Sequence, residues 1–340
     1  MKKLLKNIAL IAFFGITVTS CTPNDPTGGN PNGNPNNTKK PKLLQINSDA
    51  VNNASNFWNL QKGTLVPSVA TVTTFSNLRF GDAIVSPAGL LSQTTMKWQS
   101  SAYDKVNKKY AVSLAETVVI YDMSGSTVPA PITYNIAPPS SSSLDFIMAM
   151  EYVNGDLYVI HHNEIKKFVS GILVPIGSGI TIPPYSVNSD TVSNMTSKGN
   201  KIYFTLIGKL YTFDVVTTSL TNVSISGWSS DVDYNGIEYC NTNNRIYATK
   251  RYSLLYSTSD DFIVMDLAGN ETTMITGLSY TKDFSRISSA VDQATNIYYL
   301  SSSDGFGTNT NTVTEINLLS GANNDYPGTI GYSFGLEYKN

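Results

Sequence analysis

The chain has 340 residues, of which 14% are charged, and its formal net charge is −2. A chain of this length can bury a large core, and all-β rings and barrels of this size can form a single domain. The sequence has no clustered basic stretch of the kind that a nucleic-acid surface needs, so we expect no nucleic-acid partner. Frequent Tyr, Val, Ile and Thr, separated by Asn and Gly, predict an all-β protein.

The first twenty residues have the pattern of an export signal. A short basic region, MKKLLKN, is followed by the apolar run IALIAFFGITVTS. This run is shorter than the roughly 20 residues that a membrane-spanning helix requires. Residues 1–20 are therefore predicted to be a signal peptide.

The end of this segment, Thr17 to Cys21, resembles the lipobox of bacterial lipoproteins, although Thr17 stands where that motif usually has Leu. The resemblance implies cleavage before Cys21 and attachment of lipid to Cys21. It also implies a cell-envelope protein anchored to the outer membrane, with the membrane leaflet left open. The alternative is an ordinary secretory signal followed by an incidental cysteine.

Residues 21–42 are predicted to be the lipidated cysteine and a flexible tether. The sequence TPNDPTGGNPNGNPNNTKKPK is almost entirely polar, with many Pro, Asn and Gly, and it cannot bury apolar surface. Its composition resembles the tethers of Bacteroidetes lipoproteins. The only other cysteine, Cys240, is predicted to be a lone buried thiol, because Cys21 lies beside this tether.

Residues 43–340 are predicted to form one domain built from a repeat. Five segments align on a single tyrosine, and each is followed by a strand that ends in a phrase such as YDMSG, FDVVT or MDLAG. Short turns of Asn and Gly separate the strands of each unit. The aligned tyrosines are Tyr110, Tyr158, Tyr203, Tyr247 and Tyr298.

A period of 40 to 50 residues with about four strands is typical of a β-propeller blade. The repeat resembles WD-repeat and quinoprotein-like propellers in architecture, without the Gly-His and Trp-Asp pairs of true WD repeats. The final phrase, Gly335–Asn340, matches Gly236–Asn241, which is the first strand of a unit. We therefore expect six blades, or seven as an alternative, in a ring closed by pairing of this segment with residues 43–97.

A candidate calcium site lies at Asp231, Asp233 and Asn235. These residues and Gly236 form the pattern D-x-D-x-N-G, in which alternating oxygen ligands and a turn glycine suit Ca²⁺. The twelfth position of this loop is Thr242 instead of the usual Glu. An Asp/Asn/Gly-rich turn before a blade is the alternative, so the prediction is no cofactor, with Ca²⁺ left open.

Candidate ligand-binding residues lie in two inserts between equivalent strands of neighbouring units. Long loops on one side of a ring often form a binding surface, although they can also be solvated hairpin loops without a function. The residues in the first insert are Tyr252, Tyr256, Asp260 and Asp261, and those in the second are Asp304 and Phe306.

The two histidines, His161 and His162, are adjacent. Neighbours in a strand point to opposite faces, so the pair is not expected to bind one metal ion. Tryptophans at positions 58, 98 and 228 are expected between blades, or alternatively on an exposed face that could stack on sugars.

The sequence contains no G-x-S-x-G or H-E-x-x-H motif. We therefore favour a binding or scaffolding module that recognises a protein or a glycan through loops at one face of the propeller. The alternative is a glycan- or peptide-acting hydrolase or lyase with its site at the central channel, for which Glu151, Glu238 and Glu337 are the candidate carboxylates. Because these three recur at equivalent repeat positions, a packing role is the competing interpretation.

Overall fold

A computed structural model shows an all-β protein. The structure describes residues 43–48, 57–63, 84–85, 99–114, 117–124, 132–136, 147–184, 192–252, 260–278, 288–303, 310–330 and 332–338. Within these ranges no residue is helical, and none contributes to a helix that could cross a membrane. The predicted signal peptide, the predicted tether and Cys21 lie outside the described residues.

Consecutive strands form antiparallel four-stranded sheets, each in simple meander order. The first three strands are β1 (Leu43–Ser48), β2 (Phe57–Gly63) and β3 (Ile84–Val85). Blade 1 comprises β4 (Gln99–Asp104), β5 (Lys109–Leu114), β6 (Thr117–Asp122) and β7 (Ile132–Asn135). Blade 2 comprises β8 (Ile147–Val153), β9 (Asp156–His161), β10 (Glu164–Val169) and β11 (Ile172–Thr181).

The remaining strands continue the same pattern. Blade 3 comprises β12 (Thr196–Lys198), β13 (Lys201–Leu206), β14 (Lys209–Asp214) and β15 (Ser219–Ser224). Blade 4 comprises β16 (Val232–Cys240), β17 (Arg245–Tyr252), β18 (Asp260–Met265) and β19 (Glu271–Leu278). Blade 5 comprises β20 (Ser288–Asp292), β21 (Ile297–Ser303), β22 (Thr310–Asn317) and β23 (Asn323–Ile330), and β24 (Tyr332–Tyr338) follows it.

The prediction of six or seven blades is corrected, because five blades are built from consecutive strands. A further four-stranded sheet, which we call the composite sheet, has the order β24-β1-β2-β3. In it β24 is antiparallel to β1, with Leu43 opposite Tyr338 and Ser48 opposite Tyr332. The last described strand, β24, thus lies in the same sheet as the first three strands, β1 to β3.

The aligned tyrosines mark the second strand of every blade and are all buried, with exposed fractions between 0% and 7%. The first strands β8 and β16 are buried almost throughout, whereas the fourth strands β11, β15 and β19 are largely exposed. Hydrophobic clusters fill the space between successive blades, and one of them joins blade 5 to β24. The core therefore lies between the faces of adjacent sheets.

The repeated aspartate closes the turn after the third strand. Asp214 accepts hydrogen bonds from the backbone N–H groups of Val216 and Thr217, and Asp266 accepts equivalent bonds from Ala268 and Asn270. The backbone bonds lower the pKa of Asp214, and the side-chain hydrogen bond from Asn270 followed by the backbone bonds lowers the pKa of Asp266. A short side chain that satisfies turn N–H groups explains why Asp recurs at this position.

Candidate functional site

The first strands of the sheets lie side by side in the order β4, β8, β12, β16, β20 and β24, and β24 also contacts β4. They line a cavity of about 330 Å³ together with the turns that follow them. Glu151 on β8, Glu238 on β16 and Glu337 on β24 all face this cavity. The three glutamates therefore line one cavity, which keeps the enzyme alternative open.

The Oε1 atom of each of these glutamates accepts a hydrogen bond from a serine on the neighbouring first strand. Ser197 Oγ donates to Glu151 over 3.1 Å, and Ser289 Oγ donates to Glu238 over 2.9 Å. The third pair joins Ser101 Oγ to Glu337 over 2.7 Å. First strands that carry one of the three glutamates therefore alternate with first strands that carry one of the three serines.

The other three junctions between first strands are bridged by hydroxyls that accept backbone N–H bonds. Ser100 accepts from Met150 N, Thr196 accepts from Tyr239 N, and Ser288 accepts from Gly335 N, at 2.8 to 3.0 Å. Every neighbouring pair of first strands is thus joined by a hydroxyl hydrogen bond. These hydrogen bonds fix the backbone of the strands that carry the glutamates.

Two glycines position the glutamates of β16 and β24. Gly236 and Gly335 have φ values of 59° and 69°, in the left-handed region that favours glycine. A Cβ atom at either site would lie 2.5 Å from a tyrosine hydroxyl oxygen, that of Tyr298 or Tyr110 respectively. Each hydroxyl donates to the glycine carbonyl. The phrase G-x-E-Y therefore encodes a local break in register that turns the glutamate toward the cavity.

The cavity raises the pKa of all three carboxyls. Burial, with a smaller contribution from the charge of Glu337, raises the pKa of Glu151 to about 8. Burial also raises the pKa of Glu337 to about 7, against the opposing effects of Ser101 and Lys105. Burial and the charges of Glu337 and Glu151 raise the pKa of Glu238 well above its ordinary value. Near pH 7 the three groups therefore share protons instead of being fully ionised.

Charged side chains at the cavity wall come from the ends of the first strands and from the turns that follow them. Lys105 is exposed, and its charge lowers the pKa of all three glutamates. Asp104 is buried and accepts the N–H groups of Val106 and Asn107, which shapes the turn that carries Lys105. Lys198 donates to Asn244 Oδ1 at 2.8 Å and lies over the ring of Tyr239.

Two buried polar atoms of residues that line the cavity have no hydrogen-bond partner among the described residues. They are Nδ2 of Asn235 and the hydroxyl of Tyr103, whose residues are 3% and 5% exposed. Buried donors are rarely left unpaired, because desolvation without a replacement bond is costly.

The predicted ligand-binding residues of the first insert lie at the opposite end of blade 4. Tyr252 pairs with Val232 at the start of β16, whereas Tyr247 pairs with Glu238. Five positions along a strand place Tyr252 about 16 Å from the glutamate level. Tyr252 is 41% exposed and donates to Asp261 Oδ2 at 3.2 Å.

Asp260 is buried against Arg251, and Asp261 also accepts the N–H group of Gly277. These contacts stabilise the ends of β17, β18 and β19. Tyr256, Asp304 and Phe306 lie outside the described residues, so the second insert contributes no described side chain to either end of the propeller.

The candidate calcium residues lie at the start of β16 and just before it. Asp231 is exposed just before β16, and Asp233 and Asn235 follow within it. The register break of β16 lies between Asn235 and Glu238. Across the described residues there is no group of three His, Cys, Asp or Glu side chains that could hold a metal ion. The calcium site stays a prediction.

The expectation that the histidines point to opposite faces is wrong. His161 ends β9, but His162 lies in the following turn with φ of 52°, and the two ring centroids are 4.2 Å apart. The left-handed turn breaks the alternation on which the prediction depended. Cys240 is buried and free, and its thiol donates to Asn296 Oδ1 at 3.5 Å.

Trp228 covers Gly208 and donates from its indole nitrogen to Val232 O at 3.0 Å. A Cβ atom at position 208 would lie 2.2 Å from the nearest carbon of the Trp228 ring, so this contact requires glycine. Trp228 is 37% exposed and packs at the junction of blades 3 and 4. The side chain of Trp58 and all of Trp98 lie outside the described part.

Comparisons with solved structures agree with the fold. The chain is similar to TolB from Acinetobacter baumannii, with a TM-score of 0.50 and 12% identity, over 88% of this chain and 66% of that one. It is also similar to a putative TolB from Agrobacterium tumefaciens, with a TM-score of 0.44 and 10% identity over 70% and 82% of the two chains. At 12% identity, the likeness to the first of these structures shows a β-propeller fold alone. No protein-family model and no curated protein sequence matches the chain.

Proposed function

We propose that the chain is a lipid-anchored, extracytoplasmic binding module whose ligand enters the cavity formed by the first strands. The observation that carries this proposal is that Glu151, Glu238 and Glu337 all line one polar cavity. Concave sites with a few convergent polar groups are the usual form of a ligand site. The ligand is a glycan or a segment of a partner protein.

The proposal includes ring closure by the composite sheet between blade 5 and blade 1. It is supported by the pairing of β24 with β1 and by the contacts of β24 with both β20 and β4. Closure removes free sheet edges, which otherwise promote aggregation. It also brings Glu337 beside Ser101, so that the cavity has a complete wall.

The proposed location in the cell envelope depends on the lipobox-like sequence at Cys21 and on the predicted tether. Lipid on Cys21 would anchor the propeller to the outer membrane, in either leaflet, and residues 22–42 would hold it away from the surface. A protein anchored in this way meets ligands of the envelope or of the outside medium.

The test is a glycan array and a capture experiment with solubilised envelope proteins, using the purified full chain. The informative variant is Lys105→Glu, because Lys105 is exposed at the cavity mouth. The control is Lys209→Glu, an exposed lysine at the opposite end of blade 3. We expect ligand binding that is lost in the first variant and kept in the second. Equal loss in both, or no ligand from either screen, would count against the proposal.

A hydrolase or lyase is the second candidate, because carboxyls with pKa values of about 7 and 8 suit general acid–base chemistry near neutral pH. Activity on glycosides or peptides that is abolished in both Glu151→Gln and Glu337→Gln would support it. Turnover that survives both substitutions would exclude these carboxyls as the catalytic pair.

A further inference from the structure

Two sets of turns lie at the same end of each blade: those after the first strands, which line the cavity, and those after the third strands. A backbone hydrogen bond joins the two turns in blades 1, 3 and 5. These bonds run from Met123 N to Lys108 O, from Val215 N to Asn200 O and from Leu318 N to Asn296 O, at 2.7 to 2.9 Å. We call this end of the propeller the cavity end.

Aliphatic side chains stand at the tips of these turns. Val106 is 80% exposed, and Val216 and Leu319 are each 67% exposed, which makes them the three most exposed large hydrophobic residues in the described ranges. Each tip is held by the same contact, in which a side-chain oxygen two residues earlier accepts the backbone N–H group of the tip. The acceptors are Asp104, Asp214 and Asn317. Apolar side chains that ordered turns display at one end of a protein indicate an interaction surface.

The most exposed charges at the cavity end are basic. Among the described residues of these turns and of the strand ends beside them, Asp122 is the one exposed carboxylate, whereas the exposed cations are Lys105, Lys109, Lys198, Lys201 and Arg245. The other aspartates of these turns are buried or half-buried and offset part of the positive charge. Lysine side chains are longer, so their charges lie further from the backbone. A partner with anionic groups suits this arrangement.

The chain enters the propeller at the same end. Leu43, the first residue of β1, lies opposite Tyr338, which lines the cavity. Four further lysines adjoin these two residues in the sequence: Lys39, Lys40 and Lys42 before Leu43, and Lys339 after Tyr338. The predicted tether, residues 22–42, leads from here to the predicted lipid on Cys21. A coil of about 20 residues spans roughly 25 Å on average, so the cavity end would stay close to the bilayer.

We propose that the cavity end is a membrane-docking surface, which places its aliphatic turn tips in the headgroup region and its lysines against anionic lipids. The inference takes the lipid anchor from the proposed function and goes beyond it, because it needs no ligand in the cavity. The tether sets how far the propeller can move away, and docking draws the cavity end back to the bilayer.

A bilayer fits these observations better than a compact ligand does. The tips of Val106, Val216 and Leu319 lie on blades 1, 3 and 5, so a broad and deformable surface can bury all three. Each lysine close to an anionic bilayer favours the docked state about fivefold. The apolar tips add the burial of aliphatic surface to this attraction.

The test measures the orientation of the full chain anchored in vesicles of phosphatidylethanolamine and phosphatidylglycerol. A fluorophore is attached at one position at a time, in Val216→Cys, Leu319→Cys and Ile207→Cys, while Cys240 is buried and should not react. Ile207 is the matched control, because it is also exposed but lies in the turn between β13 and β14. The six residues of β14 separate this turn from Val216 by roughly 20 Å. A nitroxide on the lipid headgroup should quench the probes at positions 216 and 319 and spare the probe at 207.

Changes of charge separate docking from the effect of the anchor. Lys109→Glu combined with Lys201→Glu should remove the difference between the probes, and neither lysine lines the cavity. Salt at about 0.5 M should act in the same way, because it screens exposed charges. Replacement of phosphatidylglycerol by phosphatidylcholine should also remove the difference. Lys209→Glu, at the opposite end of blade 3, should keep it. Circular dichroism of each variant shows that it is folded.

Every other outcome overturns the inference. Equal quenching at all three positions would show that the propeller moves freely on its anchor, and stronger quenching at position 207 would place the opposite end on the bilayer. A preference that survives high salt, neutral lipid and the charge-reversed variant would exclude anionic lipid as the partner. A chain that does not stay with the vesicles would refute the anchor on which docking depends. The glycan array and the capture experiment contain no bilayer, so these results leave the proposed ligand binding to be decided there.

Discussion

Ser101 and Glu337 are separated by 236 positions in the sequence, yet Ser101 Oγ donates to Glu337 Oε1 over 2.7 Å. This bond joins β4 of blade 1 to β24, the strand that pairs with β1. A local repeat cannot make such a contact by itself. The contact follows from the packing of β24 beside β4, which places Glu337 on the wall of the cavity.

The glutamates should make stability fall as pH rises. A carboxyl with a raised pKa stabilises the folded state below pH 4.5, and this contribution is lost between pH 4.5 and about 8, where only the unfolded state ionises freely. At pH 8.5, Glu151→Gln should therefore raise the free energy of unfolding by roughly 2 kcal/mol, with little change at pH 5. Urea unfolding at the two pH values measures this difference.

The matched control is Glu315→Gln, because the pKa of Glu315 is also raised by burial but Glu315 lies on β22, away from the cavity. Its substitution should give a smaller effect, since no neighbouring glutamate opposes its ionisation. A loss of stability in Glu151→Gln at pH 8.5 would contradict the electrostatic account.

The glycine of the G-x-E-Y phrase is expected to tolerate no side chain. Gly236→Ala combines a φ of 59° with a clash at the Tyr298 hydroxyl, so it should lower the free energy of unfolding by about 3 kcal/mol. Gly177→Ala is the control, because Gly177 also has a φ of 59° but has nothing within 4 Å of the added Cβ. Its cost should be about 1 kcal/mol. Equal costs in denaturant unfolding would show that the tyrosine contact has no energetic role.

A buried ion pair in blade 4 should be sensitive to loss of one partner. Lys250 Nζ lies 2.7 Å from Glu271 Oε1, both side chains are less than 10% exposed, and Tyr234 also donates to Glu271. Lys250→Met would leave a buried carboxylate unpaired and should cost about 3–5 kcal/mol. Adding Glu271→Gln to this variant should recover part of the loss.

The control for that pair is the more exposed contact between Arg245 and Asp266, whose side chains are 46% and 28% exposed. Arg245→Met should cost no more than about 1 kcal/mol. Thermal and chemical unfolding of the three variants gives the comparison. A similar loss in the exposed and the buried pair would mean that burial does not set the strength of the interaction.

The repeat could be predicted well from the sequence, because the features that define it recur in short segments of the chain. The buried tyrosine, the turn asparagines with positive φ and the terminal G-x-E-Y phrase each depend on a few neighbouring residues. The partners of the glutamates were missed, because Ser101, Ser197 and Ser289 lie in segments whose only signal is a small polar residue in the first strand of every second unit. Comparison of first strands two units apart would have found them. The insert residues were chosen by loop length, which does not indicate at which end of a blade the cavity opens.

The predicted anchor is tested by Cys21→Ser in a Gram-negative host supplied with labelled palmitate. The unmodified chain should fractionate with membranes and carry the label, and the variant should lose both properties. Cys240→Ser is the control, because Cys240 is buried in the propeller and should not affect labelling. Label on the Cys21→Ser chain would show that the lipobox resemblance is misleading.

The most direct measurement of the central claim is a carbon-13 NMR titration of the glutamate side-chain carboxyls in the unmodified chain and in Glu337→Gln. If the three carboxyls share one cavity, Glu151 titrates near pH 8 and Glu337 near pH 7, and removing the charge of Glu337 lowers the pKa of both Glu151 and Glu238. Titration of all three close to pH 4.5, unchanged by the substitution, would contradict convergence of these strands on a common cavity.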